Sequence, residues 1–193
     1  EIAEFLPAVA TKNIEKNCGI TKDDIERINV GIVILCRLHS KRLPRKAVLD
    51  LGGLSAVQRC MKNCLQSKAA SKVILATSFE NIDDDLEKEV IDGVEFFRGS
   101  PENPAKRILD AAEKYGLDYV VRVTGDSPLI SYELLDQLIA SHISNEADYS
   151  YIENAPLGLK SEVFNTSALQ KLFDNLETEK YSEIEKLFRS AAD

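Results

Sequence analysis

The side chains best suited to chemistry in this sequence are the basic residues between positions 37 and 46, here called the basic loop. Five Lys or Arg stand within these ten residues: Arg37, Lys41, Arg42, Arg45 and Lys46. Arginine offers forked hydrogen-bond donors and lysine offers a compact point charge, so converging side chains of this kind can neutralise a triphosphate or a sugar carboxylate. The basic loop therefore predicts a binding site for a small anion.

The basic loop has two other interpretations. Charge runs in loops are often only solvated, and basic clusters also contact nucleic acid. The chain carries a net charge of -8 and has a pI near 5.0. The basic loop also contains no aromatic residue on which a base could stack. These features argue against a nucleic-acid partner and favour a small anionic substrate.

A carboxylate follows a second apolar segment. Asp126 stands in a turn directly after the apolar run YVVRVT at 119–124. A carboxylate at the carboxyl end of a strand, beside a basic loop, can hold Mg²⁺ against substrate phosphates. Asp126 could instead only build the turn by accepting backbone hydrogen bonds. Taken together with the basic loop, the position of Asp126 favours the metal-binding interpretation.

Alternating strand and helix patterns surround these residues. Strands are predicted at about 30–36, 72–77, 94–97 and 119–124, with weaker ones at 148–152 and 161–164, and helices at about 55–66, 81–90, 104–115, 132–142 and 167–175. Such alternation predicts right-handed βαβ crossovers and an α/β fold, with a mainly parallel sheet between two helix layers. The basic loop and Asp126 would then meet at the carboxyl edge of the sheet, where such folds bind ligands.

Length and composition favour one α/β domain. The chain has 193 residues and is 44% hydrophobic, which is enough for one well-filled core. Residues 1–28 stand outside the strand–helix rhythm and are expected to form an extension or linker helix before a domain at 29–193. No apolar run approaches the roughly 20 residues that span a bilayer, so no membrane segment is expected.

Cysteine and histidine usage adds little chemistry. The four cysteines have no C-x-x-C spacing, so neither a zinc site nor a redox motif is predicted. Cys60 and Cys64 are expected on one buried face of a helix together with Val57, Met61 and Leu65. Free thiols of this kind fit a reducing, cytoplasmic compartment. His39 and His142 lack any accompanying nucleophile motif and are expected to be surface imidazoles.

A family resemblance rests on five segments in order: CRLHSKRLPRK, LGG, FFRGS, VRVTGDSPLI and GLKSEVF. The sequence resembles the cytidylyltransferases that activate acidic sugars, near the branch of spore coat polysaccharide biosynthesis protein F and beside the enzymes for acylneuraminate and keto-deoxy-octulosonate. The resemblance implies a three-layer α/β/α sandwich with a Rossmann-like, mixed but mainly parallel sheet of the nucleotide-diphospho-sugar transferase type. It also implies transfer of CMP from CTP to a sugar, release of pyrophosphate, Mg²⁺ as cofactor, a role in surface polysaccharide biosynthesis and a homodimer as a candidate assembly.

The resemblance also assigns residues. It implies that Arg37, Lys46 and Asp126 are catalytic and that Asp126 and Glu162 bind the metal. The residues that it places against the nucleotide are Arg37, Ser40, Arg42, Lys46, Arg98, Ser100 and Arg107.

The sequence departs from the family pattern in three places. Arg45 replaces a glycine that lets the backbone approach a phosphate closely. Lys160 stands where a carboxylate is expected, so Glu162 alone remains of that motif. The chain also ends short of the family's usual length, so its carboxyl-terminal part is expected to be truncated. Two alternatives therefore stay open: a catalytically impaired nucleotide- or sugar-binding domain of the same fold, and an unrelated α/β enzyme that binds phosphorylated sugars.

Overall fold

A six-stranded mixed sheet forms the centre of the computed structural model. The structure describes residues 28–39, 43–153, 155–156 and 158–175. The strands are β1 (Val30–Leu35), β2 (Lys72–Ser78), β3 (Val94–Gly99), β4 (Tyr119–Thr124), β5 (Tyr149–Tyr151) and β6 (Glu162–Asn165). The α-helices are α1 (Ala56–Cys64), α2 (Pro104–Tyr115), α3 (Tyr132–Ser144) and α4 (Thr166–Asn175), and two 3₁₀ helices span Lys46–Val48 and Asn81–Glu89. The predicted extension at 1–28 lies outside the described residues, except for Ile28.

The strand order is β3-β2-β1-β4-β6-β5. Strands β1 to β4 run parallel, whereas β6 is antiparallel to both β4 and β5. From β1 the chain first builds outward through β2 and β3, and then crosses back to place β4 on the other side of β1. The gap between β1 and β4 is therefore the topological switch point, at which open α/β sheets form a ligand crevice beyond the strand ends.

Helices cover both faces of the sheet. On one face, Ile32, Ile34 and Val121 pack with residues of α1 and α3. On the other face, Val33 and Val120 pack with residues of α2 and α4. Because consecutive residues of β1 point to opposite faces and both faces are covered, every residue of this strand except Leu35 is buried. The structure confirms the predicted three-layer, mainly parallel α/β fold.

Local signals in the sequence fix where the helices begin and end. Ser55 caps α1 in a reciprocal capping box with Gln58. Asn103 caps α2, and Pro104 occupies its first turn, where a missing N–H does no harm. The same helix ends at Gly116, whose φ of 63° is left-handed and suits glycine.

Three sequence expectations need correction. Residues 81–89 form a 3₁₀ helix rather than the predicted α-helix. The run of three aspartates has low α-helix propensity, and Asp83 turns into the protein to bond a distant backbone group. His142 is fully buried rather than a surface imidazole, and Leu65, expected on the buried face of α1, is 38% exposed. Cys60 and Cys64 are buried together as predicted.

Candidate active site

A pocket of about 200 Å³ lies where the carboxyl ends of β1 and β4 stand side by side. Its lining residues are Leu35, Cys36, Arg37, His39, Lys46, Ala47, Thr124 and Asp126. The basic loop and the turn that carries Asp126 therefore reach the same crevice, at the switch point of the sheet. Arg37, Lys46 and Asp126, the residues predicted to be catalytic, all line this pocket.

The backbone of the basic loop returns to the sheet through Arg45. The Arg45 N–H donates to the Leu38 carbonyl over 3.1 Å, and Lys46 then begins the first 3₁₀ helix. Arg45 has a φ of 57°, the left-handed conformation that glycine adopts freely and that costs an ordinary residue roughly 1 kcal/mol. Arg45 thus adopts a backbone conformation that a glycine at this position would adopt without strain. The Arg45 side chain extends to Asp85 at 3.0 Å, at the protein surface.

Lys46 and Asp126 form an ion pair across the pocket, and each side chain is about one-third exposed, at 32% and 35%. Partial burial alone would raise the pKa of Asp126, but the hydrogen bond and the charge of Lys46 outweigh it, so the pKa lies below its usual range. Asp126 is therefore ionised at neutral pH. A carboxylate in this state is ready to bind a hard cation, and the ammonium beside it is ready to bind a phosphate.

The turn after β4 owes its position to a glycine. The Gly125 N–H donates to the Leu35 carbonyl over 2.8 Å, which docks the turn onto the end of β1. A Cβ at position 125 would lie 2.8 Å from Cys36 Cβ and Sγ, so only glycine allows this approach. The next residue, Asp126, is thereby carried to the pocket.

Arg37 links the loops that follow three parallel strands. Its Nη1 donates to the Pro101 carbonyl over 2.6 Å, and its Nη2 donates to Glu80 Oε2 over 2.6 Å. Its Nε lies 3.9 Å from Asp83 Oδ2 and has no hydrogen-bond partner among the described residues. With 33% of its side chain exposed, Arg37 both organises the rim of the pocket and presents positive charge to it.

The predicted nucleotide contacts after β3 lie around the next loop. Arg98 donates to the Ser78 and Glu80 carbonyls and pairs with Asp84 at 2.6 Å. Arg107 is 1% exposed and donates to the Ser100 carbonyl over 2.6 Å. Burial lowers the pKa of Arg107 to about 10, so it remains a cation at neutral pH.

These contacts hold the loop after β3 in shape. Ser100 also accepts a hydrogen bond from the Asn103 N–H, over 3.1 Å, through its hydroxyl. None of Arg98, Ser100 and Arg107 lines the pocket beside Asp126. Direct contact of the three with a nucleotide stays a prediction. Ser40 and Arg42 lie outside the described residues.

Glu162, the second predicted metal ligand, has protein partners. It is 5% exposed and accepts hydrogen bonds from Arg122 Nη1 at 2.5 Å and from the Tyr149 hydroxyl at 3.1 Å. It does not line the pocket beside Asp126. Its metal role stays a prediction, and its carboxylate here cross-links β4, β5 and β6.

Lys160 precedes β6 by two residues and does not line the pocket beside Asp126. The antiparallel pairing of β4 and β6 begins after it, with Glu162 opposite Arg122. An effect of Lys160 on metal binding stays a prediction. The Lys160 side chain is exposed.

The donor set fits a magnesium ion shared with phosphates. Among the described residues, no group of three or more His, Cys, Asp or Glu side chains converges on a point that could hold a metal. Mg²⁺ bound to a nucleotide needs only one or two carboxylates, because phosphate oxygens and water complete its octahedron. The ionised Asp126 supplies one such carboxylate, and the adjacent Thr124 hydroxyl supplies an oxygen at the same pocket wall.

Sequence reasoning missed Asp83. This carboxylate is fully buried and accepts a hydrogen bond from the Leu38 N–H of the basic loop over 2.7 Å. In the sequence it is one of three consecutive aspartates, of which Asp84 is exposed and Asp85 is half-buried. Asp83 shares the buried side of the segment with Leu86, three residues on, and no buried side was predicted for this segment from the sequence.

Comparison with known proteins agrees with the fold and the motifs. The cytidylyltransferase family model matches residues 31–191. Spore coat polysaccharide biosynthesis protein SpsF of Bacillus subtilis is 37% identical over 146 residues, covering 73% of this chain and 61% of that protein. The 3-deoxy-manno-octulosonate cytidylyltransferase of Chlorobium chlorochromatii is 37% identical over 111 residues, covering 56% of this chain and 44% of that protein.

A solved structure shows the same relationship in three dimensions. The structure of a cytidylyltransferase from Leptospira borgpetersenii superposes with a TM-score of 0.73 at 32% identity, covering 82% of this chain and 73% of that chain. The chain spans 61% of the length of the Bacillus subtilis relative and 44% of the Chlorobium one. No helix in the described ranges is both long and apolar enough to cross a membrane. The extent of the family match, together with the shared fold, shows that this chain belongs to the cytidylyltransferase family.

Proposed function

We propose that this chain transfers CMP from CTP to a hydroxyl group of an acidic sugar and releases pyrophosphate. The observation that carries the proposal is the ion pair of Lys46 and Asp126 in the crevice between β1 and β4. A basic group for phosphate and a carboxylate for a divalent cation stand there side by side. The name of the Chlorobium chlorochromatii relative supports both a cytidylyl donor and a sugar acid as acceptor.

The chemistry is a substitution at the α-phosphorus of CTP. The sugar hydroxyl oxygen forms a bond to this phosphorus and loses its proton to solvent, while the bond from the α-phosphorus to the bridging oxygen breaks. Pyrophosphate leaves with the electron pair of that bond. Lys46 and Arg37 stabilise the negative charge that builds up on the phosphate oxygens, and such electrostatic stabilisation is the main task of a protein in this reaction type.

Asp126 is the residue that would hold Mg²⁺. When bound, the ion neutralises phosphate charge and helps pyrophosphate to leave. Asp126 contributes an anionic oxygen, and Lys46 offsets the effect of burial and holds the pKa of this carboxyl below its usual range. Thr124, whose hydroxyl lies 2.8 Å from the Ser127 hydroxyl, borders the same oxygen-rich wall.

The wider role follows from the relatives. The name of the Bacillus subtilis relative refers to spore coat polysaccharide biosynthesis, and we extend a role in surface polysaccharide biosynthesis to this chain. Use of CTP as the donor fits a reaction in the cytoplasm, and a homodimer is the assembly that we propose. An activated acidic sugar would be the product that such a route consumes.

A second candidate function is a nucleotide-binding domain without turnover. It is favoured by Lys160, a positive charge that stands where the family resemblance expects a carboxylate. A cation there opposes metal binding. Such a domain would bind CTP through the basic loop and fail to form a CMP-sugar.

Two measurements separate these functions. Titration calorimetry with CTP and Mg²⁺ reports binding, and pyrophosphate release with a panel of acidic and neutral sugars reports turnover. The proposed function predicts CTP binding together with pyrophosphate release that depends on an acidic sugar. CTP binding without release under any sugar would support the impaired domain. Absence of CTP binding would remove both functions.

A further inference from the structure

Asp83 is a buried carboxylate whose partners belong to the candidate site. It lies in the second 3₁₀ helix, is 0% exposed, and accepts the Leu38 N–H at 2.7 Å through Oδ1. Its other oxygen, Oδ2, accepts the Ser78 hydroxyl at 2.5 Å and lies 3.9 Å from Arg37 Nε. A buried carboxylate is expensive unless hydrogen bonds and a cation compensate it. Every compensating partner here belongs to the basic loop or to the end of β2.

The N–H, the carbonyl and the side chain of Leu38 are each fixed by a contact, at the point where the chain leaves β1. Asp83 takes its N–H, and the Arg45 N–H donates to its carbonyl at 3.1 Å. Its side chain is 1% exposed in the core. Leu38 and Arg45 are thus held side by side, and Lys46 follows directly after Arg45.

The same network restrains Arg37. Ser78 donates its hydroxyl proton to Asp83 and accepts the Glu80 N–H over 3.2 Å. The Glu80 carboxylate in turn receives Arg37 Nη2. The buried Asp83 carboxylate is therefore linked by hydrogen bonds to Leu38, which lies beside Arg45 and Lys46, and indirectly to Arg37.

We propose that Asp83 is a positioning residue that sets the phosphate-binding geometry of the basic loop without touching the substrate. This inference rests on the proposed function for the identity of the ligand. Its physical content is preorganisation: residues that hold ligand groups must themselves be locked by a supporting layer of hydrogen bonds. Without the acceptor for its N–H, Leu38 would sample other conformations together with its neighbour Arg37, and CTP would have to order them on binding.

Three variants test this. Asp83→Ala removes both acceptors, whereas Asp83→Asn keeps an oxygen for the Leu38 N–H and an amide N–H that can donate to Ser78. Asp136→Ala is the matched control, because Asp136 likewise accepts hydrogen bonds from backbone N–H groups, those of Lys68 and Ala69, at 3.1 and 3.2 Å. These residues lie in the loop before β2, at the amino end of that strand and away from the candidate site.

Calorimetric titration with CTP and Mg²⁺ should give different CTP affinities for the three variants. We expect Asp83→Ala to weaken CTP binding by about tenfold or more, the typical effect of losing a hydrogen bond to a charged group. Asp83→Asn should stay within about threefold of the wild type because its geometry is kept. Asp136→Ala should lower the melting temperature without changing CTP affinity. Equal CTP binding by Asp83→Ala and wild type, or equal losses in Asp83→Asn and Asp83→Ala, would overturn the proposal, as would an equal loss in Asp136→Ala.

Amide hydrogen exchange gives a readout that needs no nucleotide. The Leu38 amide should be protected in the wild type and in Asp83→Asn, and should exchange much faster in Asp83→Ala while core amides of β1 stay protected. Unchanged Leu38 protection in Asp83→Ala would overturn the proposal even if the chain binds no CTP. Failure of the wild type to bind CTP, with Leu38 behaving as expected, would count against the proposed function only. Should Asp83→Ala fail to fold, Asp83→Ser, which is too short to reach Leu38, serves in both measurements.

Discussion

Lys46 and Asp126 form an ion pair between the loop after β1 and the turn after β4. In the free protein each side chain is the counter-ion of the other. A triphosphate binds the ammonium and a divalent cation binds the carboxylate. When CTP and Mg²⁺ bind together, Lys46 therefore pairs with a phosphate and Asp126 pairs with the metal, and the ion pair between them is replaced. Either ligand alone would leave one charge uncompensated. We therefore expect Mg²⁺ and CTP to strengthen each other's binding, and thermodynamic linkage makes this effect reciprocal.

Replacing Lys46 with Met tests the phosphate half of the exchange. The substitution keeps most of the side-chain length and removes the charge. A hydrogen bond to a charged group is worth about 1.5 to 3 kcal/mol, so CTP affinity should fall by roughly tenfold or more. Affinity for Mg²⁺ in the absence of nucleotide should rise, because Asp126 loses its competing cation. Titration calorimetry measures both, with Lys88→Met as a control, since Lys88 is 80% exposed and pairs with Asp85. Unchanged CTP affinity in Lys46→Met would remove this residue from the site.

Replacing Asp126 with Asn tests the metal half. Asparagine keeps the size of the side chain but lacks the anionic oxygen that a hard cation prefers. Pyrophosphate release should collapse, and CTP binding measured without Mg²⁺ should become tighter because Lys46 is released. The fold should survive, since an ion pair with about one-third exposed partners contributes at most about 1 kcal/mol. Near-normal turnover at saturating Mg²⁺ would show that Asp126 only builds the turn.

The central sheet and the meeting of Lys46 with Asp126 could be predicted from the sequence. Apolar runs and caps such as Ser55 are local signals, and the parallel alternation of strands and helices forces the loop after β1 and the turn after β4 to one edge of the sheet. That topology predicts only that the two groups meet, and their direct ion pair is a finding of the structure. What the sequence could not supply is the partner of each buried polar group, because such pairs join residues far apart in the chain.

Replacing Lys160 with Asp tests whether a positive charge limits this chain. We predict that turnover of the unmodified chain is weak, because a cation within about 4 Å of the metal would repel it by roughly 4 kcal/mol or more at an effective dielectric near 20. Lys160→Asp should raise Mg²⁺-dependent pyrophosphate release. Lys62, exposed on α1, provides the control Lys62→Asp. No gain in Lys160→Asp while CTP still binds would show that Lys160 points away or contacts the sugar.

His142 should make the stability of the protein depend on pH. Burial lowers the pKa of this imidazole from 6.5 to about 4, while its Nδ1 lies 2.8 Å from the Ser150 hydroxyl. Between these two pH values the unfolded chain binds a proton that the folded chain does not. The free energy of unfolding should therefore decrease as the pH falls through this window, by at most about 1.4 kcal/mol per pH unit for this group. Urea denaturation at several pH values measures this dependence.

Two variants assign that pH dependence. His142→Asn keeps an acceptor near Ser150 and should flatten the dependence, whereas His39→Asn, at an exposed position, should leave it unchanged. An unaltered slope in His142→Asn would place the proton uptake on another group.

The errors of the sequence analysis have a shared origin. His142 belongs to the polar end of an apolar helix face, and its burial depends on Tyr119, whose ring packs edge-on at 5.2 Å across the core. The burial of Asp83 depends on Leu38, far away in the chain. The left-handed backbone of Arg45 likewise could not be anticipated from the residue type. In each case the burial or the conformation of the residue is determined by a tertiary contact or a backbone dihedral angle. Neither leaves a local pattern in the sequence.

The most direct test of the central claim is a ³¹P NMR spectrum of the chain with CTP, Mg²⁺ and an acidic sugar. Attack at the α-phosphorus predicts that the three CTP signals are replaced by those of pyrophosphate and of one new phosphodiester, the CMP-sugar. Appearance of CDP with orthophosphate would contradict the account, because the γ-phosphorus would then be the reacting centre. Unchanged CTP signals, under conditions in which calorimetry shows that CTP is bound and with every acidic sugar tried, would contradict it as well.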